Sequence, residues 1–567
     1  MTTPFSVREI PFSFPGSWFG ISPVVAEASY ADDLHLVSHQ RGMHAILRFE
    51  PRHADGRAET RVTARPERLR WEHPSGHVEM VYESADTIRL RGAGLGMRIG
   101  AAATTLTPFA GTYLYRDPRD GSPVFTSYET GRRYRITVLS GTPRTPAGAG
   151  LLGSGDRHLE LSGEASWELA VEEYTTSRDP YRAVASFEEV ARAAADAFHD
   201  YVEAIAPWRD AGTPAAELAT YVLWSATVAP GGFLRRPAVL MSKHWMDKVW
   251  SWDHCFTALA LAGGDPELAW HQFTLPFDHQ DPTGALPDSV AHSEVLCNFV
   301  KPPIHGWAFR RLRERLPEPL SRDRLAETYR RLSDWTTFWL TQRRAPGQPL
   351  PHYQHGNDSG WDNATTFDAG RVLETADLAA FLIMQLREVA ALAAELGDAR
   401  AASGWSATAE QLHTALLDTL WDGSRFLARD PETGATTSST SLLALMPLCL
   451  GADLPEEVRT ALAAGLKAHL TPYGPATEPL DSPRHVADGY WRGPIWAPVT
   501  LLIEDGLRRA GHDDLADDVS SRFRALCEAS GFAENFDAGT GAGLRDRAYT
   551  WTAAVYLVLA EDHRRRC

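Results

Sequence analysis

Nine consecutive residues, His355-Gly356-Asn357-Asp358-Ser359-Gly360-Trp361-Asp362-Asn363, hold two carboxylates, two carboxamides, a tryptophan and two glycines. No apolar period of helix or strand runs through them. Polar loops on a rigid scaffold are where function concentrates. Three further stretches share this character. They are Lys243 to His254, with Trp245, Trp250 and Trp252 among charges; Asp488 to Trp496; and Phe532 to Asp537, followed by Tyr549-Thr550-Trp551. For any one of them, packed aromatics and capping acids are an adequate explanation. Four of one kind point to chemistry. Carboxylates among aromatic walls are what glycoside cleavage requires: one acid protonates the leaving oxygen while another carboxylate activates water or attacks the sugar. The acid must hold its proton near neutrality, and an apolar wall such as Trp361 favours that. A cation-like transition state suits carboxylates and π faces.

The elements that must position these loops change in kind along the chain. Up to about residue 185 the runs are short and strand-forming: Met43 to Glu50, His77 to Glu83, Thr87 to Met97, and Trp167 to Glu172 with strict alternation. Many short strands without intervening helices predict an antiparallel β-sandwich over 1–185. Gly148-Ala149-Gly150-Leu151-Leu152-Gly153 matches a dinucleotide-binding pattern, but no strand precedes it and no βαβ unit surrounds it. It reads as a loop. A helix opens at Ser186, giving a linker helix over 186–210. From 211 to 567 the apolar period is helical, with Asp265-Pro266-Glu267 as one start and Gly397-Asp398 as a stop and restart. About thirteen helices in all, joined alternately by short turns and long aromatic loops, fit a ring of six helical hairpins with the long loops at one end. The expected fold is therefore a β-sandwich followed by an (α/α)6 barrel.

The 567 residues carry a formal net charge of −17, which disfavours nucleic acid and acidic membranes as partners. The opening Met1 to Ser6 lacks a basic, then apolar, leader, so a cytoplasmic protein is expected. The five cysteines, Cys255, Cys297, Cys449, Cys527 and Cys567, are scattered without metal-ligand spacing and read as reduced thiols. No cofactor or metal motif is present, and the expected partner is a small carbohydrate, with the oligomeric state open.

Trp250-Ser251-Trp252-Asp253-His254, Asp358-Ser359-Gly360-Trp361-Asp362-Asn363, Tyr490-Trp491-Arg492-Gly493-Pro494-Ile495-Trp496 and Glu534-Asn535-Phe536-Asp537 resemble, in order, the motifs of glycoside hydrolase family 63. The resemblance is to its bacterial, mannosylglycerate-hydrolase-like branch and covers about 210–567. It implies an inverting, exo-acting α-glucosidase-like enzyme with Asp362 as general acid and Glu534 as general base. It further implies a substrate site lined by Trp250, Trp252, Asp253, Asp358, Trp361, Asn363, Tyr490, Trp491, Arg492, Gly493, Trp496, Tyr549 and Trp551. Two departures stand out: Asn363 is followed by Ala364-Thr365-Thr366 where the family has Ser-Pro, and Phe536 replaces a tyrosine. The rival readings are a glycoside phosphorylase, a sugar epimerase using facing histidines among His244, His254 and His355, and a carbohydrate-binding protein without activity.

Overall fold

Alternation makes the strand Trp167–Tyr174 the spine of the N-terminal sheet structure: Trp167, Leu169 and Val171 enter a buried core while, on the other face, Glu168 pairs with Arg89 and the buried Glu172 with Arg135. The computed structural model describes residues 4–54, 56–153 and 155–566; Cys567 therefore lies outside the described residues. Trp167–Tyr174 pairs antiparallel with Arg133–Ser140 on one side and Thr87–Ala93 on the other, within an eight-stranded sheet. A seven-stranded antiparallel sheet supplies Leu36, Leu47, Phe49 and Ile99 to the same core. The run expected from Thr87 to Met97 breaks at Gly94, whose φ of 69° makes a turn before the strand Gly96–Ala101. The stretch 148–153 is turn and loop.

The chain divides into two compact units. One comprises Met1–Pro207, Glu217–Lys248 and Ala291–Ser293; the other comprises Trp208–Ala216, Val249–Val290 and Glu294–Cys567. This division does not coincide with a boundary at 211. Helix α1 (Phe187–Ile205), expected as a linker, begins in a capping box between Ser186 and Glu189 and buries Phe187, Val190 and Ala191 against Val81 of the first unit. Helix α2 (Ala216–Ala226) also falls almost wholly in that unit.

The second unit contains α3 (Asp253–Leu261), α4 (Pro266–Thr274), α5 (His305–Arg315), α6 (Arg322–Thr341) and α7 (Ala376–Leu396). It continues with α8 (Ala399–Leu420), α9 (Glu456–Leu466), α10 (Ala497–Arg509), α11 (Asp513–Ser530) and α12 (Thr550–Arg566). The predicted signals operate as expected at two ends: Asp265 accepts from the Leu268 amide ahead of α4, and Gly397 at φ 94° ends α7 before Asp398 caps α8. Leu442–Asp453 is a 3₁₀ segment and not an α-helix, because Pro447 has no amide to donate and Gly451 breaks the helical backbone.

Packing closes a ring: α3 touches α5, α5 touches α7, α7 touches the 3₁₀ segment, that touches α10, α10 touches α12, and α12 returns to α3. α4, α6, α8, α9 and α11 pack outside it. This is the barrel of helical hairpins read from the sequence. Inner and outer helices alternate along the chain, so the inner ones run the same way and start at one end. Among the described residues no helix is long and apolar enough to cross a membrane.

The ring closes tightly where helix-interior glycines meet backbone. A Cβ at Gly306 of α5 would lie 2.5 Å from Gln385 Cα of α7, and one at Gly506 of α10 would lie 2.4 Å from the Leu448 carbonyl oxygen. Gly306→Ala and Gly506→Ala should each destabilise the protein by about 1–3 kcal/mol in denaturant unfolding, although alanine is the better helix former. Unchanged midpoints would show that the ring accommodates the extra carbon.

Candidate active site

α3, α10 and α12 begin directly at the ends of their polar loops, and α7 follows the opening motif after a short 3₁₀ turn, Thr365–Asp368, so the loops gather at one end of the ring. The loop of the opening motif is braced from within. Asp358 is buried; its Oδ1 accepts from the Val300 amide at 3.1 Å, and its Oδ2 accepts from Arg343 at 2.7 Å and the Gln354 amide at 2.9 Å. Ser359 donates to the Gly356 carbonyl, and accepts from the Trp361 amide. Gly360 has φ 74°, and a Cβ there would sit 2.4 Å from the Trp252 ring, so only glycine fits this approach.

Four residues expected to hold sugar are spent on the protein itself. Asp358 is tied as above, bracing the loop that carries Asp362. Asn363 donates to the Gly489 carbonyl and accepts from the Trp491 amide, cross-linking two loops. Arg492 grips Asp368 through both terminal nitrogens, at 2.7 and 2.9 Å. Gly493, at φ 153°, leaves room for the Val486 carbonyl, 2.6 Å from where a Cβ would lie.

Asp362 differs. Protein surrounds it, yet its side chain is 27% exposed, and its buried Oδ1 has no hydrogen-bond partner. That atom lies 3.7 Å from Lys301 Nζ, leaving Oδ2 as the oxygen on the open side. Lys301 Nζ also lies 3.3 Å from Asp288 Oδ1 and donates to the Asn357 carbonyl at 3.0 Å. Burial pushes the Asp362 carboxyl above its ordinary value; Lys301 acts against this and Asp288 with it. Asp253, the first residue of α3, is buried with Oδ2 unpartnered, and burial pushes it up to about 8.

Glu534 lies just before the short strand Asn535–Phe536, with its amide donating to the Asp546 carbonyl at 2.7 Å. Its carboxyl is pushed up to about 8, first by burial and then by the Asp546 charge, while Arg545 and a hydrogen bond with the Tyr490 phenol act in the other direction. Burial raises the Tyr490 phenol above its ordinary value, and the charges of Glu534, Asp362 and Asp253 raise it further, so all three acids lie within electrostatic reach of it. Tyr490 has φ 64° and Arg545 has φ 60°, both unusual for residues other than glycine. The Arg545 guanidinium lies over the Tyr490 ring at 4.9 Å and pairs with Asp488 at 2.8 Å, so the two strained residues hold each other beside Glu534.

The aromatic residues form one continuous wall. Trp361 meets Trp491 at 4.8 Å, Trp491 stacks on Trp496 at 4.0 Å, and Trp496 meets Trp551 at 5.9 Å. Trp252 and Tyr549 both pack on Trp551, whose indole N–H is buried without a partner. Trp250 is only half-buried, and its backbone pairs with Ser289. Of the histidines, His254 engages the Trp250 backbone through Nδ1, and His355 accepts from the Asn357 amide and stacks on Phe299. The stretch Lys243–Lys248 belongs to the other compact unit.

Lys301, Asp288, Asp546 and Arg545 were not singled out from the sequence. For Lys301 a signal existed: of 56 basic residues only four are lysines, at 243, 248, 301 and 467. The others carry no motif, since only folding brings them beside the acids.

The profile of the family described as the mannosylglycerate hydrolase MGH1-like glycoside hydrolase domain matches residues 246–552. The mannosylglycerate hydrolase of Rubrobacter radiotolerans is 26% identical over 402 residues, covering 54% of this chain and 89% of that protein. The crystal structure of the GH63 mannosylglycerate hydrolase from Thermus thermophilus in complex with glucose is similar in fold, with a TM-score of 0.55 and 21% identity over 61% of this chain and 100% of that one. A bacterial glucoamylase complexed with acarbose aligns over 100% of this chain and 96% of its own, at a TM-score of 0.62 and 10% identity, so the likeness of fold includes the β-sandwich.

Replacing Arg343 by methionine should destabilise the protein by about 3–5 kcal/mol in urea unfolding, because Asp358 then stays buried without its cation. Activity should fall with it as the loop carrying Asp362 loses its brace. A variant of unchanged stability would show that the backbone amides alone hold Asp358.

Proposed function

We propose that this chain, which belongs to the mannosylglycerate hydrolase MGH1-like glycoside hydrolase family and is a glycoside hydrolase of the family 63 type, is an inverting, exo-acting α-glycosidase. Its substrate is a small α-linked saccharide or glycoside of α-glucosidase-like kind. Asp362 is the general acid and Glu534 the general base. The observation that carries this reading is that buried oxygens of Asp362 and Asp253 lack any partner in the protein, with Glu534, bonded to the Tyr490 phenol, in the same electrostatic neighbourhood. Buried polar atoms are satisfied as a rule, and orphans clustered at one place are what a polyhydroxylated ligand would complete.

Each group then has a task. Asp362, kept protonated by burial, donates to the leaving glycosidic oxygen from its open side. Glu534 acts in its ionised form, which burial and the Asp546 charge oppose and the Tyr490 hydrogen bond and Arg545 favour, and takes a proton from the water that attacks the anomeric carbon on the opposite face. Inversion requires room for that water, which corresponds to about 6.5–9.5 Å between the two carboxyls. Asp253 Oδ2 accepts from a sugar hydroxyl, and the indole wall faces the positive charge that develops on the ring.

Proton NMR of the sugar first released from α-linked disaccharides should show the β anomer; the α anomer would overturn the inverting mechanism. Asp362→Asn and Glu534→Gln should each lower kcat by about 10²–10⁴-fold. The profile of kcat/KM against pH should be bell-shaped. In Tyr490→Phe the limb belonging to Glu534 should move to higher pH, since a hydrogen bond that favours the carboxylate is gone; a limb that stays in place would separate Tyr490 from the base.

A further inference from the structure

Lys301 is a lysine in a chain that uses arginine at nearly every other basic position. Its backbone is pinned: the Val300 amide is held by Asp358, and Pro302-Pro303 lead into α5. Its ammonium is buried and reaches three oxygens on two segments: the Asn357 carbonyl at 3.0 Å, Asp288 Oδ1 at 3.3 Å and Asp362 Oδ1 at 3.7 Å. A compact ammonium with rotatable donors suits a narrow space between two carboxyls, where the planar fork of arginine would need more room. The oxygen of Asp362 that it faces is the buried one, so Lys301 approaches the acid from behind.

We propose that Lys301 is a positioning residue for the general acid, shared with Asp288 while Asp362 is protonated and drawn to Asp362 when that carboxyl gives its proton to the leaving oxygen. This rests on the reading of Asp362 as the acid. Before transfer Asp362 is neutral and the ammonium lies nearer the Asp288 oxygen. After transfer Asp362 Oδ1 carries negative charge in a buried place where no other hydrogen-bond donor reaches it. The ammonium then stabilises the anion that proton donation creates, at a point where charge develops. Asp288 prevents the same cation from ionising Asp362 prematurely. The other groups that act on Asp362 are Asp253, His355 and the Tyr490 phenol.

The test compares an α-linked disaccharide, whose leaving oxygen needs a proton, with the corresponding α-glycosyl fluoride, whose fluoride leaves without one. Lys301→Gln should lower kcat on the disaccharide by about 10²-fold with KM little changed, and lower it on the fluoride by no more than about threefold. The pH limb of Asp362 is the one that disappears in Asp362→Asn assayed on the fluoride. In Lys301→Gln that limb should move to higher pH, because a cation beside the carboxyl is removed; in Asp288→Asn it should move to lower pH, because an anion is removed. Equal losses on both substrates, or limbs that stay in place, would overturn the role of Lys301. If Asp362→Asn itself loses as much on the fluoride as on the disaccharide, the assignment of the acid falls instead. Should Lys301→Gln fail to fold by circular dichroism, the direction of the limb in Asp288→Asn decides the proposal.

Discussion

A carboxylate whose hydrogen bonds all go to the protein itself holds this site together. Asp358 accepts from the Val300 amide, the Gln354 amide and Arg343, all in a place from which water is excluded. The first of those bonds ties the segment carrying Lys301 to the loop carrying Asp362, four residues further on. A buried carboxylate is costly unless charge and hydrogen bonds both compensate it. Here both do, so the loop has one arrangement to adopt. The position of Lys301 behind Asp362, the approach of Gly360 to the Trp252 ring and the entry of Trp361 into the indole wall all follow from that anchor.

The ring of inner helices sets the electrostatic frame around it. Because inner and outer helices alternate, the inner ones all start at the same end, so their exposed amides face the loops and favour negative charge there. Asp253 in the first turn of α3 uses this directly. Burial works the other way and is the larger effect at Asp253, Asp362 and Glu534, which are all held above their ordinary range. A site of this kind keeps protons on carboxyls that would be ionised in water. Local partners, Lys301 and Asp288 for one acid and Tyr490, Arg545 and Asp546 for the other, then distinguish them.

Strain is concentrated on one side of the site. Tyr490 and Arg545 both occupy left-handed backbone; the Arg545 guanidinium lies over the Tyr490 ring and is itself held by Asp488. Trp496 adds its indole N–H to the Tyr490 carbonyl at 2.9 Å. Such conformations persist where surrounding contacts over-determine them, and here they aim a phenol at Glu534. The indole wall contributes rigidity of the same sort, because its rings are packed on one another and have no room to turn.

Much of the architecture was legible in the chain itself. Alternation in Trp167–Tyr174 specified a strand with one buried face, the helical apolar period and the caps at Asp265 and Asp398 specified helix ends, and alternating short and long connections implied a ring with its loops together. These are local properties, set by backbone geometry and by which side chains avoid water. The four polar, aromatic stretches were visible for the same reason, since no regular element would contain them. What each polar residue does was decided only by folding. Asp358, Asn363 and Arg492 carry the groups a sugar site needs, yet their neighbours in space consume those groups. Lys301 and Asp288 carry no motif, yet they meet beside Asp362. A side chain's chemistry depends on which partners reach it and on how much water remains, and both are properties of the tertiary structure that no spacing along the chain encodes.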